Sequence, residues 1–427
     1  MKNNFRRFIA LATAVIGMIP VVSISGSHAE EIMDEIPEET LEFTENDTGI
    51  SVTGCGRSVQ SIEIPSEVDG IPVTDIGSQA FFGYPNLKSV VIPDTVTSIG
   101  PNAFSECAEL AEVFIPESVE VIDEYAFYDC NNLTSVVIPE GVKIIEWSAF
   151  AQCSNLTDVS LPSTLENIGY NAFADTPWLK AMYKENSMFI HNNTLYSAKE
   201  TEFKPNIPGG VEKIAESAFE GSEYLKRVTM PDSLTYIDRF AFAECNHLTK
   251  ISFSPNITYI GESAFSDCSS LKSISLPESL TEISPRTFEY CASLESMVFH
   301  KNIQYIGKKA FSSCDSLRSV IIENPECEIY DANNTFSNEY ADDFMFTGTI
   351  YGHENSTAQA YAEKYGISFS VIGDLNSDSQ FTVADLVCAE KYLLGSGELP
   401  DWKAGDRNND DAFDVYDMVL LRRNLIV

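Results

Sequence analysis

The sequence predicts an α/β solenoid of stacked 23-residue repeats, followed by a small all-α domain at the C-terminus. Two columns predict the solenoid: a phenylalanine recurs every 23 residues, with one interval of 46, and a leucine stands six residues after each phenylalanine. The phenylalanines are Phe81, Phe104, Phe127, Phe150, Phe173, Phe219, Phe242, Phe265, Phe288 and Phe311. The leucines are Leu87, Leu110, Leu133, Leu156, Leu179, Leu225, Leu248, Leu271, Leu294 and Leu317. Two columns that stay in phase over ten copies indicate a repeat array.

Residues 99–121 illustrate one coil of this array. Val113 and Ile115 are separated by a residue that points the other way, which predicts a short strand. Pro116 has no N–H for a strand ladder and is expected to end that strand. Residues 102–107 suit a helical or 3₁₀ turn. One such coil has a single buried face, so stacked coils must supply the core.

Residues 99–116 carry the run Ile-Gly-x-x-Ala-Phe-x-x-Cys-x-x-Leu-x-x-Val-x-Ile-Pro. This run resembles the repeat of the BspA-like leucine-rich repeat family of bacterial surface proteins, and the resemblance covers roughly residues 40–370. It implies a leucine-rich solenoid. It leaves the function open, because solenoids present many unrelated binding surfaces.

The chain is expected to divide into four segments. Residues 1–29 are a predicted signal peptide, and residues 30–40 a predicted disordered acidic lead. Residues 41–371 are expected to form the solenoid with its caps, and residues 372–427 the C-terminal domain. Within the solenoid, residues 178–208 break the repeat and are interpreted as one degenerate coil or a β-hairpin. Ser356 is expected to start a helix in the C-terminal cap and Gly366 to stop it.

The N-terminus predicts export from the cytoplasm. A basic start with Lys2, Arg6 and Arg7 precedes the apolar stretch 8–22, and a small-residue cleavage pattern ends at Ala29. A retained membrane anchor is the alternative, although the apolar stretch is short for a span. The net charge of −37 disfavours nucleic acid and anionic lipid as partners. We therefore expect a secreted protein with no membrane span after signal cleavage.

Seven of the ten cysteines stand three residues after a repeat phenylalanine and fill one column. They are Cys107, Cys130, Cys153, Cys245, Cys268, Cys291 and Cys314. We expect this column to point inward as core packing. Disulfides between neighbouring coils remain an alternative to a reduced column, since secreted chains often carry them.

The residue between the two buried positions of each predicted strand should face outward. This row contains Val91, Phe114, Val137, Ser160, Thr229, Ser252, Ser275, Val298 and Ile321. Strand propensity alone could explain these residue types. An exposed row without charge in so acidic a chain is also typical of a protein-binding face.

After residue 372 a different duplication begins, with an offset of 32 residues. Each copy places oxygen-bearing side chains at loop positions 1, 3, 5, 9 and 12, with a backbone carbonyl available at position 7. This is the ligand pattern of an EF-hand calcium loop. The expected ligands are Asp374, Asn376, Asp378, Gln380, Thr382 and Asp385 in the first loop, and Asp406, Asn408, Asp410, Ala412, Asp414 and Asp417 in the second. Position 12 is Asp rather than Glu, and position 6 is Ser379 or Asp411 rather than Gly, which disfavours a calmodulin-like hand.

The duplicated loop–helix unit resembles a type I dockerin, a family with aspartate at position 12 and only an exiting helix. The resemblance covers residues 372–427, with helices at 383–394 and 415–424. It implies two Ca²⁺ ions, folding that depends on them, and docking to a cohesin module of a scaffoldin. The implied cohesin contacts are Val383, Ala384, Lys391, Val415, Tyr416, Arg422 and Arg423. The two copies differ at positions 10 and 11, so the number of docking orientations stays open, as does a merely structural role for these residues.

The sequence contains no nucleophile motif and no histidines at metal-binding spacing, so we expect no enzyme. We expect a secreted, non-catalytic cellulosome component. Its dockerin would bind a scaffoldin in a calcium-dependent way, and its solenoid would bind a protein or carbohydrate. The alternatives are a cell-surface adhesin, a protease inhibitor or other regulator of the complex, and a hidden hydrolase.

Overall fold

The computed structural model describes residues 7–11, 40–199, 204–338, 345–407, 410 and 412–425. The predicted signal peptide, apart from residues 7–11, and the predicted acidic lead up to residue 39 lie outside them. The chain forms two compact units, residues 1–192 and residues 193–427.

The first unit begins with strands that precede the regular repeats. Arg7–Leu11 pairs antiparallel with Thr40–Glu45, which pairs antiparallel with Ile50–Gly54. Ile50–Gly54 then pairs in parallel with Ile71–Ile76, and the short strand Glu67–Val68 folds back on the latter. These strands give the first regular coil a paired neighbour and so cap this end of the repeats.

Two rows of parallel strands follow in the first unit. The first strand row carries the Val-x-Ile pattern, and the second strand row precedes the repeat phenylalanine. The first row is Ser61–Glu63, Ser89–Val91, Glu112–Phe114, Ser135–Val137 and Asp158–Ser160, and the second is Ser98–Ile99, Val121–Ile122, Ile144–Ile145 and Asn167–Ile168. The register advances by one repeat per strand, so that Val91 lies beside Phe114 and Ile99 beside Ile122.

A third set of backbone contacts between coils, here called the turn ladder, runs through the segment between the two rows. In one coil the N–H groups of Asn102, Phe104 and Glu106 donate to the carbonyl oxygens of residues 124, 126 and 128 in the next coil, at 2.9, 2.7 and 2.7 Å. Asn102 and Glu106 have φ values of +55° and +60°. This left-handed conformation directs alternate N–H groups along the stack instead of into a helix.

Left-handed residues recur at these two positions in both units. The first position is filled by Gln79, Asn102, Tyr125, Ser148, Asn171, Ser217, Phe240, Ser263, Arg286 and Lys309. The second is filled by Gly83, Glu106, Asp129, Gln152, Asp175, Gly221, Glu244, Asp267, Tyr290 and Ser313. No helix forms at residues 102–107, where a helical or 3₁₀ turn was predicted; the segment contains single i to i+3 turns, such as the one closed by the N–H of Ser105 and the carbonyl of Asn102 at 3.2 Å. The repeats are strands joined by consecutive turns, so the α/β label does not fit them.

The first unit ends in a segment that departs from the repeat. Helix α1 spans Pro177–Asn186, and the Thr176 side chain caps its N-terminus by accepting from the N–H of Leu179. The strand Met188–His191 ends this unit, and the strand Thr194–Ala198 opens the second unit; Asn192 and Asn193, which lie between these strands in the sequence, have φ values of +45° and +59°. Two positive φ values suit the two-residue turn of a β-hairpin. The predicted strands and turn are confirmed, whereas helix α1 was not expected.

The second unit repeats both strand rows. The second strand row contains Lys213–Ile214, Tyr236–Ile237, Tyr259–Ile260, Glu282–Ile283, Tyr305–Ile306 and Glu328–Ile329. The first strand row contains Arg227–Thr229, Lys250–Ser252, Ser296–Phe299, Ser319–Ile322, Thr349–Gly352 and Ser368–Val371. The last four of these form one parallel sheet in that order.

Three α-helices are found among the described residues of the second unit. Helix α2 spans Thr357–Tyr365, with Ser356 as its N-cap and Gly366, at φ +67°, as its C-cap, which confirms the predicted helix. Helices α3 (Val383–Leu393) and α4 (Val415–Leu425) each follow one acidic loop, and a 3₁₀ turn at Trp402–Ala404 lies between them. Their observed limits agree with the predicted limits to within one residue. We call residues 372–425 the C-terminal module.

The core of each unit is a stack of equivalent side chains. The rings of Phe104, Phe127 and Phe150 lie parallel, with centroids 5.2 and 5.0 Å apart. The column cysteines are fully buried, which confirms their inward orientation. All ten cysteines lie among the described residues and are free. Each column thiol donates to the carbonyl oxygen of a phenylalanine in the preceding coil, as Cys107 does to Phe81 at 3.0 Å.

Among the helices that the structure describes, none is long and apolar enough to cross a membrane.

The phenylalanine stack gives the first testable prediction. Phe127→Ala should lower the free energy of unfolding by about 3–5 kcal/mol, because it leaves a cavity between two coils. The measurement is a urea titration followed by circular dichroism. Phe114→Ala is the control: its ring is 66% exposed and its loss should cost about 0.5 kcal/mol or less. Equal effects of the two changes would contradict the stacked core.

Candidate functional site

The first acidic loop is organised around two buried carboxylates, those of Asp374 and Asp385. Oδ1 of Asp385, at loop position 12, accepts from the N–H groups of Leu375 and Asn376 at 2.9 and 3.1 Å. Its Oδ2 accepts from the N–H of Thr382 at 2.7 Å. The side chain of position 12 therefore ties the start of the loop to the start of helix α3.

Asp374, at position 1, holds the middle of the same loop. Its two oxygens accept from the N–H groups of Asp378 at 3.0 Å and Ser379 at 2.7 Å. Ser379 occupies position 6 with φ +70°. Ser379 thus adopts the left-handed conformation that normally selects glycine at that position of a calcium loop.

The second acidic loop repeats these contacts 32 residues later. Asp417 accepts from the N–H groups of Arg407 at 2.8 Å and Asp414 at 2.9 Å, as Asp385 does from Leu375 and Thr382. Asp406 and Asp417 are buried like their counterparts. The predicted ligand Asn408 lies outside the described residues.

Three carboxylates of the second loop converge on one point. Asp406, Asp410 and Asp417 each offer an oxygen, and these oxygens lie within 4.8 Å of one another. Two of the three side chains are buried. Oxygen ligands at this separation fit a hard divalent cation, which is the chemistry that the sequence predicts for the loop.

Burial also changes the acidity of a carboxyl group in the first loop. It raises the pKa of the Asp374 carboxyl above its ordinary value. Hydrogen bonds from Ser379 and Asp378 oppose this shift, and the nearby carboxylates of Asp385 and Asp378 add to it. Between the ordinary and the raised pKa the folded loop binds the extra proton, so the stability of the cation-free loop falls as pH rises through this range.

A pair of glycines and a pair of phenylalanines complete the duplication. Gly373 and Gly405 stand just before the loops, and a Cβ at these positions would lie 2.5 Å from the ring of Phe381 and 2.7 Å from that of Phe413, respectively. Both phenylalanines occupy loop position 8, where they pack into the module. None of these four residues was predicted to have a role, although the offset of 32 residues within each pair could have revealed it.

The predicted cohesin contacts all lie on the surface of the module. Val383, Val415 and Tyr416 are 68, 65 and 76% exposed. Ala384, Lys391, Arg422 and Arg423 are also exposed, and Arg422 forms an ion pair with Glu390. Val387 and Val419, one helical turn beyond Val383 and Val415, are exposed as well, at 43 and 45%. These last two valines enlarge the apolar surface beyond the predicted set.

The predicted outward row of the solenoid is exposed through most of its length. In the first unit Val91, Phe114 and Val137 are 48, 66 and 68% exposed, and Ser160 is exposed too. In the second unit Thr229 and Ser275 are exposed and Ser252 is half-buried. The outward orientation predicted for these residues is confirmed.

Two members of the row behave differently. Ile321 is buried and Val298 is half-buried. Both pack in a cluster with Tyr351, Ile372 and Ala404. The prediction that the row is free at this end is wrong, because the C-terminal module covers it.

Comparison with solved structures gave several leucine-rich repeat proteins. A leucine rich cell surface protein from Faecalibacterium prausnitzii A2-165 is 28% identical, covers 74% of this chain and 99% of its own, and has a TM-score of 0.37. A leucine-rich repeat protein from Bacteroides ovatus is 24% identical, with coverage of 76% and 100% and a TM-score of 0.32. The pneumococcal vaccine antigen PcpA is 17% identical, with coverage of 78% and 96% and a TM-score of 0.39.

Comparison with curated proteins gave no match. Comparison with protein families gave one that spans both repeat blocks. The BspA type leucine rich repeat region matches residues 74–202 and 189–318, in six copies. The matched residues make up more than half of the chain and contain all ten repeat phenylalanines, from Phe81 to Phe311. The chain therefore belongs to the BspA-type leucine-rich repeat family.

Proposed function

We propose that this protein is a secreted, non-catalytic component that binds two calcium ions in its C-terminal module and docks through that module to a cohesin on a scaffoldin. The leucine-rich solenoid then presents a binding surface for a protein or carbohydrate. In this proposal the module is a type I dockerin, and the chain belongs to a cellulosome.

The observation that carries the proposal is the repetition of one carboxylate arrangement in two loops. In each loop a buried aspartate at position 12 accepts from the N–H groups of positions 2 and 9. A chance cluster of acids on a chain of net charge −37 would not repeat its hydrogen bonds in this way. The convergence of Asp406, Asp410 and Asp417 supports the binding of a cation by this loop.

The donor set favours Ca²⁺ over Mg²⁺. The ligands are carboxylate, amide, hydroxyl and backbone oxygens of the protein, on loops that can adjust. Ca²⁺ accepts six to eight such ligands, whereas Mg²⁺ prefers near-ideal octahedral geometry and retains several waters. When bound, the ion would draw the position 1, 5 and 12 carboxylates together, and the hydrogen bonds of position 12 would transmit that order to helices α3 and α4.

The exposed apolar surface of the module supports a protein partner. Val383 and Val387 on α3 correspond to Val415 and Val419 on α4, and all four are exposed. A group of large, exposed apolar side chains on the surface of a soluble module is typical of a docking site. Tyr416 stands beside this group and is the most exposed aromatic residue described in the module, at 76%.

A cell-surface adhesin is the second candidate. It is favoured by three exposed apolar side chains on consecutive coils of the first unit, Val91, Phe114 and Val137. Here the solenoid would contact a host or neighbouring-cell protein. The C-terminal module would then attach the chain to a cohesin at the cell surface.

Calcium binding gives the second prediction. Calorimetric titration of the full chain with CaCl₂ should show two ions bound. Asp417→Asn should abolish binding at one site and leave the other, because position 12 both contacts the ion and orders its loop. Asp232→Asn, an exposed acid on the solenoid, is the control and should leave both sites intact. A titration without heat or with a single weak site would contradict the proposal.

Docking gives the third prediction. In the presence of calcium the full chain should bind one or more members of a panel of cohesin modules, and Tyr416→Ala should weaken binding by roughly tenfold or more, as expected for a central aromatic anchor. Tyr224→Ala, at a solenoid tyrosine of 43% exposure, should have no effect. Two bound calcium ions without any cohesin partner would overturn the scaffoldin assignment and leave the solenoid as the only candidate docking element.

A further inference from the structure

The C-terminal module follows the last strand of the solenoid almost without a linker. The strand Ser368–Val371 ends two residues before Gly373, and Asp374 begins the first loop. The N–H of Ile372 donates to the carbonyl of Gly352 at 2.9 Å, and the N–H of Gly373 donates to that of Ala404 at 2.7 Å. Of the two residues between strand and loop, Ile372 is therefore hydrogen-bonded to a strand of the solenoid, and Gly373 is hydrogen-bonded to the module.

An apolar contact joins the module to the outward side of the last strands. Ile321, Tyr351, Ile372 and Ala404 are buried together, and Val298 packs against them. Val298, Ile321 and Tyr351 occupy the same register position on three neighbouring strands. The last part of the outward row is thus a seat for the module.

Polar contacts surround this seat. The hydroxyl of Ser370, which is next in the same register, donates to Asp401 at 2.9 Å. Arg407 forms an ion pair with Glu323 at 2.8 Å, and their side chains are only 12 and 26% exposed. The two residues of the ion pair are 84 positions apart in sequence.

Arg407 is the one residue of this contact that also belongs to an acidic loop. It stands at position 2 of the second loop, and its N–H donates to Oδ1 of Asp417 at 2.8 Å. The equivalent residue of the first loop is Leu375, whose side chain is buried in the core of the module. Only the second loop, therefore, reaches the solenoid through position 2.

We propose that Arg407 and Glu323 couple occupation of the second loop to the seating of the module on the last coils of the solenoid. This inference rests on the proposed calcium binding. An ion in the second loop fixes Asp417, which fixes the backbone of Arg407, whose guanidinium is held by Glu323. Glu323 also balances the positive charge that Arg407 brings to the edge of the site. By reciprocity, contact between the module and the last strands raises the affinity of the second loop for the ion, and binding of the ion strengthens that contact.

The test is a calcium titration of the full chain carrying Asp385→Asn, which leaves the second loop as the only intact site. Adding Glu323→Gln should weaken calcium binding about fivefold, at the lower end of typical coupling between sites. The matched control is Asp331→Asn, which removes an exposed ion pair with Lys364 on the same part of the solenoid and should leave the affinity unchanged. Hydrogen exchange on the unsubstituted chain provides a second measurement: calcium should slow exchange in the strand Ser319–Ile322.

The outcomes separate the two claims. Calcium binding with an unchanged affinity in Glu323→Gln, together with equal exchange of residues 319–322 with and without calcium, would overturn the coupling and leave the proposed function standing. Failure of the unsubstituted chain to bind calcium would overturn both. A fivefold loss that is absent from Asp331→Asn, with calcium-dependent protection of the strand, supports the coupling.

Discussion

The stacking of coils depends on one constraint: much of the backbone of each coil finds its hydrogen-bond partners in the next coil. The two strand rows meet this constraint in the usual way, with parallel pairs. The turn ladder meets it by placing two residues of each repeat in the left-handed conformation. That conformation costs roughly 1–2 kcal/mol for a residue other than glycine. Contacts between neighbouring coils must offset this cost, so a coil is stable only within a stack.

Much of the fold follows from patterns that the sequence displays openly. The columns of phenylalanine and leucine predict the period and the core, and the capping residues Ser356 and Gly366 predict helix α2. The turn ladder could not be predicted in this way, because residues such as Tyr125 and Phe240 carry no mark of a left-handed conformation. Helix α1 was missed because residues 178–208 were interpreted as a degenerate coil or a hairpin, and the start signal given by Pro177, which occupies the first turn of the helix, was not used.

The candidate site shows the same division. Spacing predicted the aspartates of both loops as metal ligands, which stays a prediction, and the resemblance to a dockerin predicted the two helices that follow the loops. Neither could identify the ion pair of Arg407 and Glu323, because nothing local to either residue points to the other. The outward row shows the limit of prediction from periodicity: equivalent positions of the repeat are exposed at Phe114 and buried at Ile321. Periodicity assigns a side chain to a face, but it does not say whether another part of the chain covers that face.

The buried, hydrogen-bonded thiols of the core determine how the protein responds to an oxidising environment. Burial raises the pKa of Cys107 to about 11 and that of Cys245 and Cys291 to about 12, so almost none of these thiols is ionised at neutral pH. Thiolate is the species that attacks disulfides and peroxides. The column thiols of the folded stack therefore react little with disulfides and peroxides, although the stack is rich in cysteine. The half-buried thiols among the described residues are Cys55, whose pKa burial also raises to about 11, and Cys388 on helix α3, so thiol reagents in solution reach these two positions before they reach the buried column.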